Sequence, residues 1–455
     1  MRSRTKLLAP WLLLCAFVLG HVQSAHAAAP TELTLRYQHH IFTLRPAQYS
    51  SWRALREEWL FSGRSFRAPQ ELRVDGDRSR ELPYGVTRTR VEDWDSEAIA
   101  ATLRTSVAQK IDRIAGSVTI RSAADGAVQF DGVGLPGRSV DIPAASAIVV
   151  AALREGAADV TLPVREIPPT IDVQDPALRS MGIKEVVTVG ESDFSGSPGP
   201  RRHNIAVGLA RFNGHTIARG EEFSFDAVLG PVNASTGYQK ELVILGERTL
   251  PDYGGGLCQV STTAYRGAWE YGLPITDRRN HSFAVRYYGP QGTDATVYPP
   301  HTDLQFTNDT PGALLLQTHV ENDKAYFIYY GTRDERTSTV YGPYTWGQQE
   351  PPPPRSEYTA DIPAGTMRKV GDAVPGMHAA WFRVLEHMTA SGARVSSVDG
   401  TYSIYEARPL FTQIGVSQDS PLLQGAASSP AVAAASARSS MQAHSSAPPY
   451  RRRDR

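Results

Sequence analysis

Tyr253-Gly254-Gly255-Gly256-Leu257-Cys258-Gln259-Val260-Ser261-Thr262-Thr263 places a cysteine just after three glycines, where a helical pattern starts. Leu257, Ser261, Ala264, Ala268 and Tyr271 recur at helical spacing and Gly272 follows as a stop, so this stretch is expected to form a helix. Cys258 then lies in the first turn, where unpaired amides and the macrodipole favour a thiolate. The glycines let the backbone take positive φ and approach a substrate closely. Two readings of the thiol stand open: a reactive nucleophile, or a small core hydrophobe behind a tight turn.

The chain has two cysteines, and the other, Cys15, lies in an export signal. Arg2, Arg4 and Lys6 precede the apolar run Leu7 to Gly20, and Ala25-His26-Ala27 supplies a small-x-small cleavage site. Residues 1–27 therefore read as a signal peptide, and the mature protein as secreted or periplasmic and associated with the cell envelope. Cys15 follows Leu14, not a small residue, which argues against a lipid anchor. No later run is apolar enough to span a bilayer. The mature chain thus keeps one cysteine, which cannot form an internal disulfide. Basic and acidic residues balance at 47 each before cleavage, and removing the signal leaves a slight acidic excess. That charge gives no support to nucleic-acid binding.

Outward from the cysteine, the chain reads as a multidomain α+β protein. Residues 28–170 form a mixed N-terminal domain. It has a strand at Leu33 to Tyr37, helices at Pro46 to Leu60, around Leu103 to Ile114 and at Pro143 to Glu155, a hairpin across Ala124-Asp125-Gly126, and a strand at Val160 to Val164. Residues 171–190 read as a linker, 191–335 as a central α+β domain and 336–416 as a β-rich extension. Residues 417–455 are Ala, Ser and Pro with few large apolar side chains and cannot build a core. His39-His40 reads as a surface pair, since no partner sits at metal-ligand spacing. No HExxH, CxxC pair, P-loop or GxGxxG is present, so neither metal nor nucleotide cofactor is indicated.

Further landmarks flank the glycine–cysteine stretch: Asn204-Ile205-Ala206, Asn213-Gly214, Gly220-Glu221-Glu222-Phe223-Ser224-Phe225, Gly230-Pro231, Gly237-Tyr238, His281-Ser282, Tyr287 and Gly292-Thr293-Asp294-Ala295-Thr296-Val297. Together they resemble the VanW family of bacterial envelope proteins over about a third of the chain. Residues 28–170, especially Gly134-Leu135-Pro136-Gly137 to Leu162-Pro163-Val164, resemble the peptidoglycan-binding domain often found before it, and 336–416 resembles a G5-like extension. The resemblance implies peptidoglycan as partner, and an L,D-transpeptidase that cross-links stem peptides through a cysteine. The alternatives are a non-catalytic peptidoglycan-binding protein, or a cysteine amidase or endopeptidase of the wall.

A cysteine nucleophile needs a base. His281 is the choice, at the start of an alternating stretch, His281 to Tyr287, that reads as a strand. Asp294, before an expected strand Ala295 to Tyr298, is the candidate to orient the imidazole, with turn capping as its other account. His203 and His301 are weaker alternatives as base. The amides of Gly254, Gly255 and Gly256, with the amide or side chain of Gln259, are candidates for an oxyanion site. Glu222 is a candidate to bind substrate amines, or a solvated turn residue.

Overall fold

The computed structural model describes residues 28–67, 82–245, 248–388 and 392–423. The expected signal peptide and the tail from residue 424 onward lie outside the described residues. The chain is an α+β, multidomain protein with several small sheets. No helix among the described residues is long and apolar enough to cross a membrane.

Packing divides the chain into two compact units. One is built from Thr43–Ala101 and Pro143–Val160 with the chain up to Thr34. In it Arg53–Phe61 pairs antiparallel with Val86–Trp94, residue by residue. The helix expected from Pro46 to Leu60 does not form: two short 3₁₀ turns, Pro46–Gln48 and Ser50–Trp52, lead straight into that strand. Trp52, Leu55 and Trp59 carry a helical spacing by accident, and pairing with the β-branched partner strand decides the outcome. The expected helix at Pro143 forms as Ile142–Glu155.

The second unit contains Leu35–Phe42, Thr102–Ile142 and everything from Thr161 onward. At its centre is a four-stranded sheet in which Lys324–Gly331 lies between Glu185–Asp193 and Leu314–Glu321, with Thr216–Ile217 beyond the latter. Both faces of this sheet are covered, which explains the unbroken apolar run Ala325 to Tyr330. Phe327 and Tyr329 join the core of the helix side, while Tyr326, Ile328 and Tyr330 join the core formed with Val118, Ile120 and Leu135. Residues 171–190, expected as a linker, carry Thr170–Val173, Pro176–Ser180 and the first part of Glu185–Asp193.

The helix Leu257–Tyr271 lies against the first face of this sheet, and the expected stop is in place, with Gly272 at φ 109°. Strand and helix touch at two glycines. A Cβ on Gly190 would stand 1.9 Å from the Thr263 carbonyl oxygen, and one on Gly267 would stand 2.6 Å from the Gly190 nitrogen. His39 and His40 are not a surface pair. His39 is buried with Nδ1 2.8 Å from Glu270 Oε1, and His40 joins Arg113, Arg138 and Lys324 around the buried Glu191 carboxylate. Residues 336–416 do form β structure: Thr337–Gln349, Gly376–Met388 and Arg394–Tyr405 make one sheet, and Arg355–Thr359, Phe411–Gly415 and Met367–Gly371 another.

Candidate active site

Gly256 at φ 118° is the N-cap of the Leu257–Tyr271 helix, a conformation that L side chains rarely adopt. Almost the whole helix is buried, but Cys258 in its first turn is only partly so. The buried polar side chains that follow in the sequence organise the surrounding loops. Ser261 donates to the Ala295 carbonyl at 2.7 Å, and the Ala295 amide donates to Thr262 Oγ1 at 3.0 Å. Arg266 donates to the carbonyls of Tyr288 at 2.8 Å and Gly289 at 3.0 Å.

These contacts explain why the segments expected as strands, His281 to Tyr287 and Ala295 to Tyr298, are loops, apart from the 3₁₀ turn Arg286–Tyr288. Backbone groups of Ala295, Tyr288 and Gly289 are satisfied by helix side chains, and the His281 amide by the Asp294 carboxylate, instead of by a neighbouring strand. The loops bring Asp294 to His281. Asp294 Oδ2 accepts from the His281 backbone amide at 2.8 Å and lies 2.6 Å from ring Nδ1. Both residues are almost wholly buried. The second carboxylate oxygen accepts from Arg278 Nη2 at 3.2 Å and from the Tyr405 hydroxyl. Asp294 is therefore held well below the usual carboxylate range, against burial, by His281 and Arg278.

With Nδ1 engaged, His281 turns its other nitrogen, buried and without a conventional hydrogen bond, to the Cys258 thiol. Burial pulls the imidazole down, but the neighbouring sulfur and Asp294 outweigh it and raise His281 to about 9. Burial likewise pushes the thiol up, and the charge on His281, helped by Arg201, reverses the shift so that Cys258 lies below its ordinary value. Each group thus favours the charged form of the other, although Sγ also approaches the Val297 carbonyl at 3.6 Å, a contact that suits the neutral thiol. Tyr288 stacks on the imidazole with ring centroids 4.3 Å apart and caps one face of it.

The other expected site residues fall in different places. Gln259 is fully buried and turned inward: Oε1 accepts from Arg201 Nη2 at 2.9 Å, and Nε2 donates to the Asp193 carbonyl at 3.3 Å. The Gly254 amide donates to the Gln239 carbonyl at 3.3 Å, and the Gly255 carbonyl accepts from Asn204 at 3.0 Å. Gly254 and Gly255 thus anchor the turn, and Gly256 starts the helix. Glu222 is exposed on the strand Glu222–Ser224 and is not part of the cluster. His203 Nε2 donates to the Gly237 carbonyl at 2.8 Å, and His301 stacks near Tyr298, so neither joins Cys258. Among the described residues no group of three or more His, Cys, Asp or Glu side chains converges to hold a metal.

Sequence reasoning missed Arg201, Arg266, Arg278, Tyr288 and Tyr405. A signal existed for one of them: Gln259, Thr263, Arg266 and Glu270 recur at intervals of four, three and four and so share one helix face, which marks a polar network. Nothing in the sequence pairs Tyr405 with a site more than a hundred residues earlier.

Residues 200–330 match the family model described as VanW like protein. The chain is 30% identical over 164 residues to the uncharacterized protein YoaR of Bacillus subtilis (strain 168), covering 36% of this chain and 52% of that one. It is 26% identical over 126 residues to the vancomycin B-type resistance protein VanW of Enterococcus faecalis (strain ATCC 700802 / V583), covering 27% of this chain and 46% of that one. The chain thus spans about half the length of these curated relatives. No solved structure matches it. The landmarks around Cys258 and the family match coincide, and residues 200–330 are a VanW-family domain.

Proposed function

We propose that the protein is an exported, cell-wall-related enzyme whose Cys258 performs acyl transfer on peptidoglycan stem peptides, as an L,D-transpeptidase. The relative named for vancomycin resistance supports the link to the wall. The observation that carries the chemistry is the Cys258–His281–Asp294 arrangement, with Nδ1 2.6 Å from the carboxylate and the thiol lowered beside the opposite nitrogen. A nucleophile, a base and an orienting carboxylate in that order are what acyl transfer requires.

In the first step the thiolate adds to the carbonyl of the diamino-acid residue of a donor stem, and the carbonyl π pair moves to oxygen. The tetrahedral adduct collapses to a thioester as the C–N bond breaks, and the His281 imidazolium gives its proton to the departing D-Ala amine. A side-chain amine of a second stem then attacks the thioester, His281 takes a proton from it, and the C–S bond breaks to restore the thiolate. Water in place of the amine turns the same cycle into hydrolysis, as a carboxypeptidase, and a different scissile bond makes the site an amidase or endopeptidase. The 28–170 segment is assigned the task of holding wall polymer.

Purified protein incubated with tetrapeptide stems and analysed by muropeptide separation tests the reading. Cross-linked dimers that disappear with Cys258→Ala support it. The contact of Sγ with the Val297 carbonyl favours a second reading, a non-catalytic wall protein in which the thiol only packs. A Cys258 inert to carbapenems and to small electrophiles would establish that reading instead.

A further inference from the structure

Two helices begin at this site. Gly199–Ala210 carries Arg201 in its first turn, and Leu257–Tyr271 carries Cys258 in its first turn. Each helix start presents orphan amides and the positive end of a macrodipole. Acidic residues are the usual complement, yet neither first turn has one. A guanidinium stands there instead, a placement the dipoles oppose. A Cβ on Gly256 would lie 3.1 Å from Arg201 Cγ, which sets the arginine directly beside the turn that precedes Cys258.

Arg201 is only 7% exposed, and its partners are neutral: Ser197 Oγ at 2.6 Å, Gln259 Oε1 at 2.9 Å, the Tyr288 hydroxyl, and the Tyr287 ring at 4.0 Å. Arg138 and Arg383, also buried, each pair with a carboxylate, whereas Arg266 donates to the backbone carbonyls of Thr293, Glu191, Tyr288 and Gly289. Among the described residues no carboxylate pairs with Arg201. A buried cation without an acid is costly unless something else balances it. The Cys258 thiolate is the nearby anion, and Tyr288 joins the two, since its ring lies on His281 and its hydroxyl on Arg201. Formation of a thioester removes the thiolate charge, so the guanidinium and both helix ends lose their counter-ion in mid-cycle.

We propose that Arg201, between the two helix N-termini, is the subsite for a free carboxylate on the acyl donor, so that the preferred donor is a peptide cleaved at the carbonyl before its C-terminal residue. The planar fork has five donors, and Ser197, Gln259 and the Tyr288 hydroxyl take one each, which leaves two N–H groups for a carboxylate. The inference rests on Cys258 being the nucleophile, and it selects carboxy-terminal exchange over internal cleavage.

The test compares the rates at which iodoacetate and iodoacetamide modify Cys258 at one pH. The two reagents differ by one negative charge, and their rate ratio cancels the thiolate fraction. The ratio is expected to fall on the order of tenfold in Arg201→Met and to survive largely in Arg201→Lys, because charge and not shape attracts the small anion. On unmodified protein, a tetrapeptide donor amidated at its C-terminus is expected to lose at least about tenfold in kcat/KM against the free acid, a measurement that stands even if Arg201→Met fails to fold. An unchanged ratio in a folded Arg201→Met protein, or an amidated donor that reacts as fast as the acid, overturns the subsite and leaves the nucleophile in place. A charge-dependent ratio with no turnover of either donor overturns acyl transfer and keeps Arg201 as an anion site.

Discussion

Asp294 holds His281 by two bonds to a single oxygen, from the backbone amide at 2.8 Å and with ring Nδ1 at 2.6 Å. The double hold fixes the tautomer and the plane of the ring, so that the remaining nitrogen meets the thiol. Arg278 and Tyr405 hold the other carboxylate oxygen, so both oxygens of Asp294 are bonded.

Removal of this charge is therefore expected to cost more than orientation. Cys258→Ala and His281→Ala should each abolish product, and Cys258→Ala should leave the fold intact because it removes little buried volume. Asp294→Asn should reduce turnover and also destabilise by about 3–5 kcal/mol, since Arg278 loses its buried partner. Because the Asp294 carboxyl is depressed, its stabilisation is fully present above the ordinary carboxylate range and is lost as pH falls through the lower folded value. Thermal melts of unmodified protein and Asp294→Asn should converge as the solution is acidified. A constant gap between them down to strongly acidic pH would contradict the assignment.

The pH dependence of thiol capture follows from the same pair. The Cys258 thiol is lowered and His281 is raised to about 9, so iodoacetamide should react with a midpoint below the ordinary thiol range. In His281→Ala only the Val297 backbone and Arg201 still oppose burial, and the midpoint should rise. Turnover should decline as pH passes about 9, where the imidazolium that protonates the leaving amine is lost. Equal midpoints for the two proteins would remove His281 from the site.

How far the sequence disclosed this site depends on distance along the chain. The Leu257–Tyr271 helix, its Gly256 start and its Gly272 stop were legible because caps and apolar spacing are local signals. Pairing Cys258 with His281 and Asp294 needed the resemblance, since these residues sit in loops shaped by Ser261, Thr262 and Arg266 and no periodicity describes such loops. Gln259 had the wrong partner for a similar reason. A glutamine beside a cysteine reads as a donor to substrate, and only the fold brings Arg201 to its amide. The strand Arg53–Phe61 was read as helix because its partner lies beyond a long intervening segment.

The contact between strand and helix at Gly190 gives a test of packing that leaves the chemistry alone. A methyl group there would meet the Thr263 carbonyl oxygen at 1.9 Å and the Gly267 nitrogen at 2.8 Å. Both are backbone atoms of a buried helix and cannot step aside singly. Gly190→Ala should destabilise by at least about 1–3 kcal/mol through overpacking, read as a lower urea midpoint at constant slope. A melt unchanged from the parent would show that the helix can shift as a body.

The role of residues 336–416 can be tested at one hydroxyl. Tyr405 belongs to the strand Arg394–Tyr405, and its oxygen both donates to Asp294 and accepts from the Gly292 amide at 2.7 Å. From the same strand, Thr401 and Ser403 accept from Arg278 Nη1 at 3.1 and 3.0 Å, and Trp381 on the adjoining strand donates to the Gln291 carbonyl at 2.8 Å. The extension thus forms the back wall of the Asp294 loop. Tyr405→Phe keeps the ring and removes only these bonds, leaving the Gly292 amide buried without an acceptor. A loss of about 1–3 kcal/mol is expected on that account. Asp294 keeps both bonds to His281, so turnover should fall by on the order of tenfold and not vanish, with KM unchanged because no substrate-binding group is touched. A variant as stable and as active as the parent would reduce the extension to a neighbour of the site with no part in positioning it.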